Sequence, residues 1–230
     1  RPCAVLDVDF GCTFAVRRTL PHNIMLGLYM PFFTTHLHTI SFIDQTGFAL
    51  AQDQRVHDYL TDNFAQNVRT LGGIDVGPYR RTGAGDLALV ADWLQNFPQP
   101  RPFLKNVLVN ARFGITLPTG NRAIINKILA FPFGYNGATT LLFGGGLTLS
   151  YGSYIRAGFD VELRKSAGHA WCQRIKTSAQ QTELILLEKA TAYIDYAFEQ
   201  QYTLFAHLHD IIRGTSLKLA YQFFKHGDDT

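Results

Sequence analysis

The chain contains no run of eighteen apolar residues, so no transmembrane helix can be drawn through it. Its cysteines are few: Cys3, Cys12 and Cys172 make an odd number without CxxC spacing, which supports neither a disulfide framework nor a zinc site. Charge is scarce too. Asp, Glu, Lys and Arg make up 17% of 230 residues, and the net charge of +3 is not clustered, so no nucleic-acid surface follows. No G-x-S-x-G elbow, H-E-x-x-H pair or P-loop occurs, and no catalysis and no cofactor are expected. The only candidates for a nucleophile would be Ser150 or Ser153 with a loop histidine. No signal peptide precedes Arg1; export to an outer membrane needs one, so the expectation is a mature or trimmed product.

What the sequence does have is a rhythm of two. In Val107–Leu117 the residues Val107, Val109, Ala111, Phe113, Ile115 and Leu117 share one face, against Asn106, Asn110, Arg112 and Thr116. In Thr139–Tyr151, Leu141, Phe143, Leu147, Leu149 and Tyr151 oppose Thr140, Gly144, Gly146, Thr148 and Ser150. In Ile155–Leu163, Ile155, Ala157, Phe159, Val161 and Leu163 oppose Arg156, Asp160, Glu162 and Arg164. Strict alternation is a strand signal, because successive side chains of a pleated strand point to opposite faces. Strands of soluble proteins usually run about five or six residues, whereas a slanted bilayer crossing needs roughly 9–11. These segments meet the longer requirement, with uncharged apolar faces and charged opposite faces, as in an outer-membrane barrel with lipid outside and a wet lumen inside.

The same pattern recurs along the chain. Leu6–Val16 places Leu6, Val8, Phe10, Cys12, Phe14 and Val16 opposite Asp7, Asp9, Thr13 and Arg17. Ile24–Phe32 follows a turn around Pro21, with a bulge or bend expected at Pro31, which cannot donate to a ladder. His36–Phe42 continues it. Asp86–Trp93, Ala190–Phe198 running on through Leu208, and Leu217–Phe223 complete about eight strands, a number within the range of such barrels. Residues 43–82 break the rhythm: Val56, Tyr59, Leu60, Phe64, Val68 and Leu71 predict a helix over 53–71, capped at Gly72-Gly73, inside a long loop. Residues 166–188 show no clear period, and Glu183–Glu188 fits strand or helix.

Connections near 18–23, 97–104, 152–154 and 209–215 are short, and those near 44–82, 119–137 and 166–187 are long. Short turns belong to the periplasmic side of outer-membrane barrels and long loops to the exterior. Both ends of the strand series then fall outside, whereas native barrels start and finish in the periplasm. The expectation is a single barrel domain over 1–230 that lacks flanking segments, about ten or twelve strands when complete; a closed eight-stranded barrel is the alternative. The fold class is all-β, an antiparallel up-and-down transmembrane β-barrel.

Three stretches resemble a family. Gly83-Ala84-Gly85-Asp86-Leu87 resembles the G-x-G-D-L strand opening of bacterial outer-membrane proteins similar to phenol-degradation transport barrels. Gly114-Ile115-Thr116-Leu117-Pro118-Thr119-Gly120 resembles a strand of those proteins ending in P-T-G, and Gly27-Leu28-Tyr29-Met30-Pro31-Phe32 is similar to a G-L-x-x-P-F segment of uncharacterised relatives. The resemblance implies an outer-membrane pore or uptake channel. Such barrels commonly close with a strand ending in an aromatic residue; this chain ends Gly227-Asp228-Asp229-Thr230. In physical terms, Gly-Asp and Pro-Thr-Gly are turn chemistry and mark loop junctions.

The expected lumen face carries Asp7, Asp9, Arg17, Asp86, Asp92, Arg112, Arg156, Asp160, Glu162, Arg164, Asp195, Glu199 and Lys218. These either ring a water-filled pore and set its selectivity, or pair into a structural plug. The mixture of signs predicts no strong anion or cation preference. The expected lipid face carries Phe10, Phe14, Trp93, Phe113, Phe143, Leu147, Phe159, Leu219 and Tyr221, with Cys12 as a small lipid-facing residue. Trp93 and Trp171 are candidate interface anchors. His36/His38 and His207/His209 have the two-residue spacing that puts imidazoles on one face, but sequence places no third ligand and no metal is assigned. The expected function is a passive pore for small solutes in a bacterial outer membrane, with membrane lipid as its partner. A structural or adhesive barrel with a closed lumen and a soluble lipocalin-like carrier are the other readings.

Overall fold

The computed structural model describes residues 2–42, 54, 58, 62–178, 180, 185–212 and 214–227. Its main sheet is an antiparallel meander. Strands β1 (Pro2–Leu20), β2 (Ile24–Phe42), β4 (Leu87–Pro98), β5 (Leu104–Leu117), β6 (Thr140–Tyr151), β7 (Ile155–Ser166), β10 (Phe198–Ile212) and β11 (Thr215–His226) lie side by side in that order. The eight strands curl into a half-barrel. Among the described residues β1 pairs only with β2, and β11 only with β10. Alternation dictates the layout: Phe113 lies opposite Phe143 and Phe159 opposite Leu147 and Leu204, so apolar positions stack with apolar across the ladders.

The hairpin connections of the main sheet at one rim are short: the 3-10 turn Pro21–Asn23, residues 99–103 and 152–154, and the step from Ile212 to Thr215. The other rim carries the long segments. There β3 (Tyr79–Ala84) adds to β2, helix α1 (Phe64–Gly72) crosses, and β8 (His169–Arg174) pairs with β9 (Lys189–Ile194) in a separate hairpin. Gly73 caps α1 at φ 61°, its N–H donating to the Arg69 carbonyl, a conformation that favours glycine. Helix α1 begins at Phe64, and Gln54 and Asp58 are also helical, within the expected 53–71 span; Val56, Tyr59 and Leu60 lie outside the described residues.

Two expectations of strand layout are corrected. Ala190–Leu208 is not one strand: β9 ends at Ile194, and β10 begins at Phe198 on a different sheet. Pro31 makes no bulge and sits opposite Thr13 in regular register. On its other side β2 pairs with β4 only up to Tyr29 and with β3 only from Phe32, so the missing N–H falls in a gap where no ladder bond is lost. The bulges lie instead at Asp9, between Val8 and Phe10, and at His38, opposite the Val5/Leu6 step.

A charged inner face under a folded cap

The two faces of the curled sheet differ in accessibility. Phe10, Phe14, Trp93, Phe113, Phe143, Phe159, Leu219 and Tyr221 are exposed, with Phe113 at 50% and Phe159 at 45%; Leu147 is half-exposed. Taking eight such side chains out of water is worth on the order of 10 kcal/mol even at half exposure, comparable with the whole stability of a domain. Monomeric proteins in water seldom leave so broad an apolar surface open.

The opposite face is polar and its groups meet across strands, as on the concave side of a curl. One register row reads Asp92, Arg112, Gly144, Glu162 across β4 to β7. Arg112 Nε donates to Asp92 at 2.7 Å and its Nη1 to Glu162 at 3.2 Å. Glu162 is two strands away, about twice the 4.8 Å strand spacing. The reach is possible because Gly144 between them has no side chain. The next row repeats the device: Asn110 donates to Asp160 at 3.2 Å over Gly146. A Cβ at Gly146 would lie 2.7 Å from the Asp160 carboxylate and 2.9 Å from the Asn110 amide oxygen. The paired glycines of β6 are thus slots through which β5 and β7 are laced together. Arg164 joins Glu162 and, at 3.8 Å, Glu199. Arg17 lies over the Tyr29 ring at 5.3 Å, beside a cleft of about 500 Å³ that also reaches Asp92, Asn110 and Arg112. Lys218 stands 5.9 Å from the Phe205 ring, and Arg156 lies opposite Ser150 and His207.

Four expected inner carboxylates are elsewhere. The bulge at Asp9 reverses the phase of β1 beyond it, so Asp7 and Asp9 join the face of His36 and Arg80, while Leu6 and Val8 turn in against Phe33 and Thr35. Asp195 follows the end of β9 and binds Lys165 at 3.0 Å, apart from the inner cluster. Asp86 precedes β4, is 6% exposed, and accepts the backbone N–H groups of Gly120 at 2.8 Å and Tyr135 at 2.6 Å. Leu87 N–H donates to the Thr119 hydroxyl at 2.9 Å. The Gly-Asp-Leu and Pro-Thr-Gly stretches, far apart in sequence, therefore clasp one another. Gly120 and Gly134 leave room for the carboxylate that any side chain would take.

The clasp folds residues 118–139 over the inner face. Arg81 donates to the Phe131 carbonyl at 2.7 Å and covers the Phe133 ring at 4.7 Å. Tyr135 comes down on Arg164, and burial pushes its phenol above the ordinary value of 10.0, with the Arg164 guanidinium pulling the other way. A small apolar core lies behind the loop, formed by Leu37, Val68, Ile74, Val76, Tyr79, Ile128 and Ala130. Arg174 of β8 ties its parts together, donating to the carbonyls of Ile125, Leu186, Leu187 and Gly72 at 2.7–3.0 Å. Trp171 lines a neighbouring cavity of about 290 Å³ with Ile74 and Ile128.

Sequence reasoning missed Tyr135, Arg174 and Arg81, and it misassigned Asp86. Paired turn motifs bracketing long loops were the available signal. Compared with known protein families and curated proteins, the chain matches no family model and no curated sequence.

Proposed function

We propose that this chain forms the wall of an outer-membrane β-barrel that passes small solutes, with a lumen lined by the mixed charges of β4, β5, β7 and β10. The observation that carries the reading is the division of the sheet into an exposed apolar face and a polar face whose charges lace together. In hydrocarbon the first is satisfied by lipid and the second by water inside. A lipocalin-like carrier needs the reverse, with apolar side chains enclosed. Open edges are not tolerated in a bilayer, since each unpaired backbone group costs several kcal/mol there. Among the described residues β1 and β11 each pair on one side only, and eight strands that close half a circle fit one arc of a barrel wider than eight strands, roomy enough for water. Acids and bases alternate along the inner rows, which fits a pore of weak charge preference.

A second reading, a structural barrel with a closed lumen, is favoured by one observation: Tyr135 and its loop sit on the Arg164–Glu162–Glu199 cluster. Planar-bilayer recording of the detergent-purified protein in its closed-barrel assembly separates the two. Discrete conductance steps, with ion preference shifted by Glu162→Gln, are expected for the pore; a silent bilayer selects the closed barrel. Full solubility of the folded chain without detergent would end both.

A further inference from the structure

Two bulges on neighbouring strands re-aim side chains toward a single point. Asp9 is the extra residue of one, on β1; His38 is the extra residue of the other, on β2. Bulges often serve to re-aim a side chain beside a functional site. Here they bring the Asp9 carboxylate to His36 and His38, and one ligating atom from each of the three lies within 4.8 Å of the other two. The imidazoles are 3.8 Å apart between ring centres. His38 is backed by Asp7, whose carboxylate is 3.1 Å from Nε2. That is the carboxylate–histidine support that orients ligating imidazoles.

We infer that Asp9, His36 and His38 form a binding site for a divalent transition-metal ion of the zinc or copper class. Two neutral imidazoles and one carboxylate are the donor set such ions take, with positions left over for water or a further ligand. Arg80 contacts Asp9 at 3.3 Å and is largely exposed, so it can swing away when a cation takes over the carboxylate. The second histidine pair shows what a non-site looks like. His207 and His209 stack equally closely, at 3.7 Å, yet Arg156 and Lys218 stand opposite His207 in the ladders. Arg80 likewise stands opposite His36, but there Asp7 and Asp9 supply two carboxylates against its one charge, whereas Arg156 and Lys218 add two cations at the second pair. The site would clamp edge strand β1 to β2 beyond the apolar belt.

Isothermal titration of the chelator-stripped full chain with zinc chloride should show one equivalent bound. Asp9→Asn, His36→Ala and His38→Ala should each weaken binding by more than the about 10–100-fold typical of losing an outer-shell partner, and Asp7→Asn by about that amount. The double variant His207→Ala/His209→Ala should bind as the wild type does. With copper(II), electron paramagnetic resonance should show coupling to two imidazole nitrogens, reduced to one in His36→Ala, a readout that does not depend on stability. Wild-type titration without heat at millimolar zinc, or affinity unchanged in Asp9→Asn and His36→Ala, overturns the assignment.

Discussion

The wall and the cap are held by different means. In the wall, every strand repeats the same ladder, and no single side chain decides the outcome; Arg112, Asp92 and Glu162 are one row among several. In the cap, a few groups each hold many others. Asp86 alone accepts two backbone N–H groups, and Arg174 alone satisfies four carbonyls. Distributed periodic interactions tolerate loss and concentrated ones do not. Substitutions in the two regions should therefore differ in size and in how far their effects spread.

The largest effect is expected at Asp86. Hydrogen bonds to a charged group are worth about 1.5–3 kcal/mol each, so Asp86→Ala should cost the cap about 3–6 kcal/mol. Hydrogen exchange should rise throughout 118–135 and at Leu87, while the amides of β5 and β6 keep their protection. Equal deprotection of the wall would show that cap and wall form one cooperative unit. Next comes Phe113→Arg on the apolar face, expected to cost about 2–4 kcal/mol in urea unfolding from lipid vesicles. Thr203→Arg, on the inner face opposite Asp160, should change the same midpoint little. Were the two to cost alike, the division of the faces would be wrong.

The same contrast governs what could be read from sequence. The wall was legible because one constraint, a side chain on alternate faces, repeats over ten or more residues and survives local exceptions: Phe113, Phe143 and Phe159 fell on one face and Arg112, Asp160 and Glu162 on the other. It failed at Asp7 and Asp9 because a bulge adds one residue and inverts everything beyond it, and a bulge leaves no compositional mark when neither residue is Gly or Pro. The cap was illegible for another reason. Asp86 meets Gly120 and Tyr135 across 34 and 49 residues through backbone groups, which carry no residue identity. Arg174 likewise binds only carbonyls. The helix was visible, since Phe64, Val68 and Leu71 keep helical spacing, but not the reason for its position.

A smaller effect should appear where the wall depends on missing side chains. Gly146→Ala places a methyl between Asn110 and Asp160 and against the Phe159 carbonyl, 2.5 Å from the added carbon. Overpacking of this kind costs about 1–3 kcal/mol, and here the Asn110–Asp160 hydrogen bond is also lost. Gly152→Ala, at the short rim, has open space and a φ of 59°, so only backbone strain of about 1 kcal/mol opposes it. Vesicle unfolding midpoints should rank Gly146→Ala below Gly152→Ala; the reverse order would remove the slot role assigned to β6.

The smallest expected effect is a pH dependence carried by Tyr135. Burial raises its folded-state pKa above the ordinary value of 10.0, the Arg164 charge offsetting part of the shift. The folded cap therefore holds the phenol proton more tightly than the unfolded chain does. That contribution is complete below the unfolded pKa and disappears as pH rises through the folded one. Raising pH from 9 through 11 should loosen residues 118–139 in the wild type, seen as faster proteolysis of that loop, with the phenolate absorbance of one tyrosine appearing late. Tyr135→Phe should remove this phase and leave the alkaline behaviour of β4 to β6 unchanged, because the Asp92–Arg112 and Asn110–Asp160 contacts do not involve the phenol. A wild-type loop that loosens no faster than Tyr135→Phe at pH 11 would mean that the phenol is not buried against Arg164.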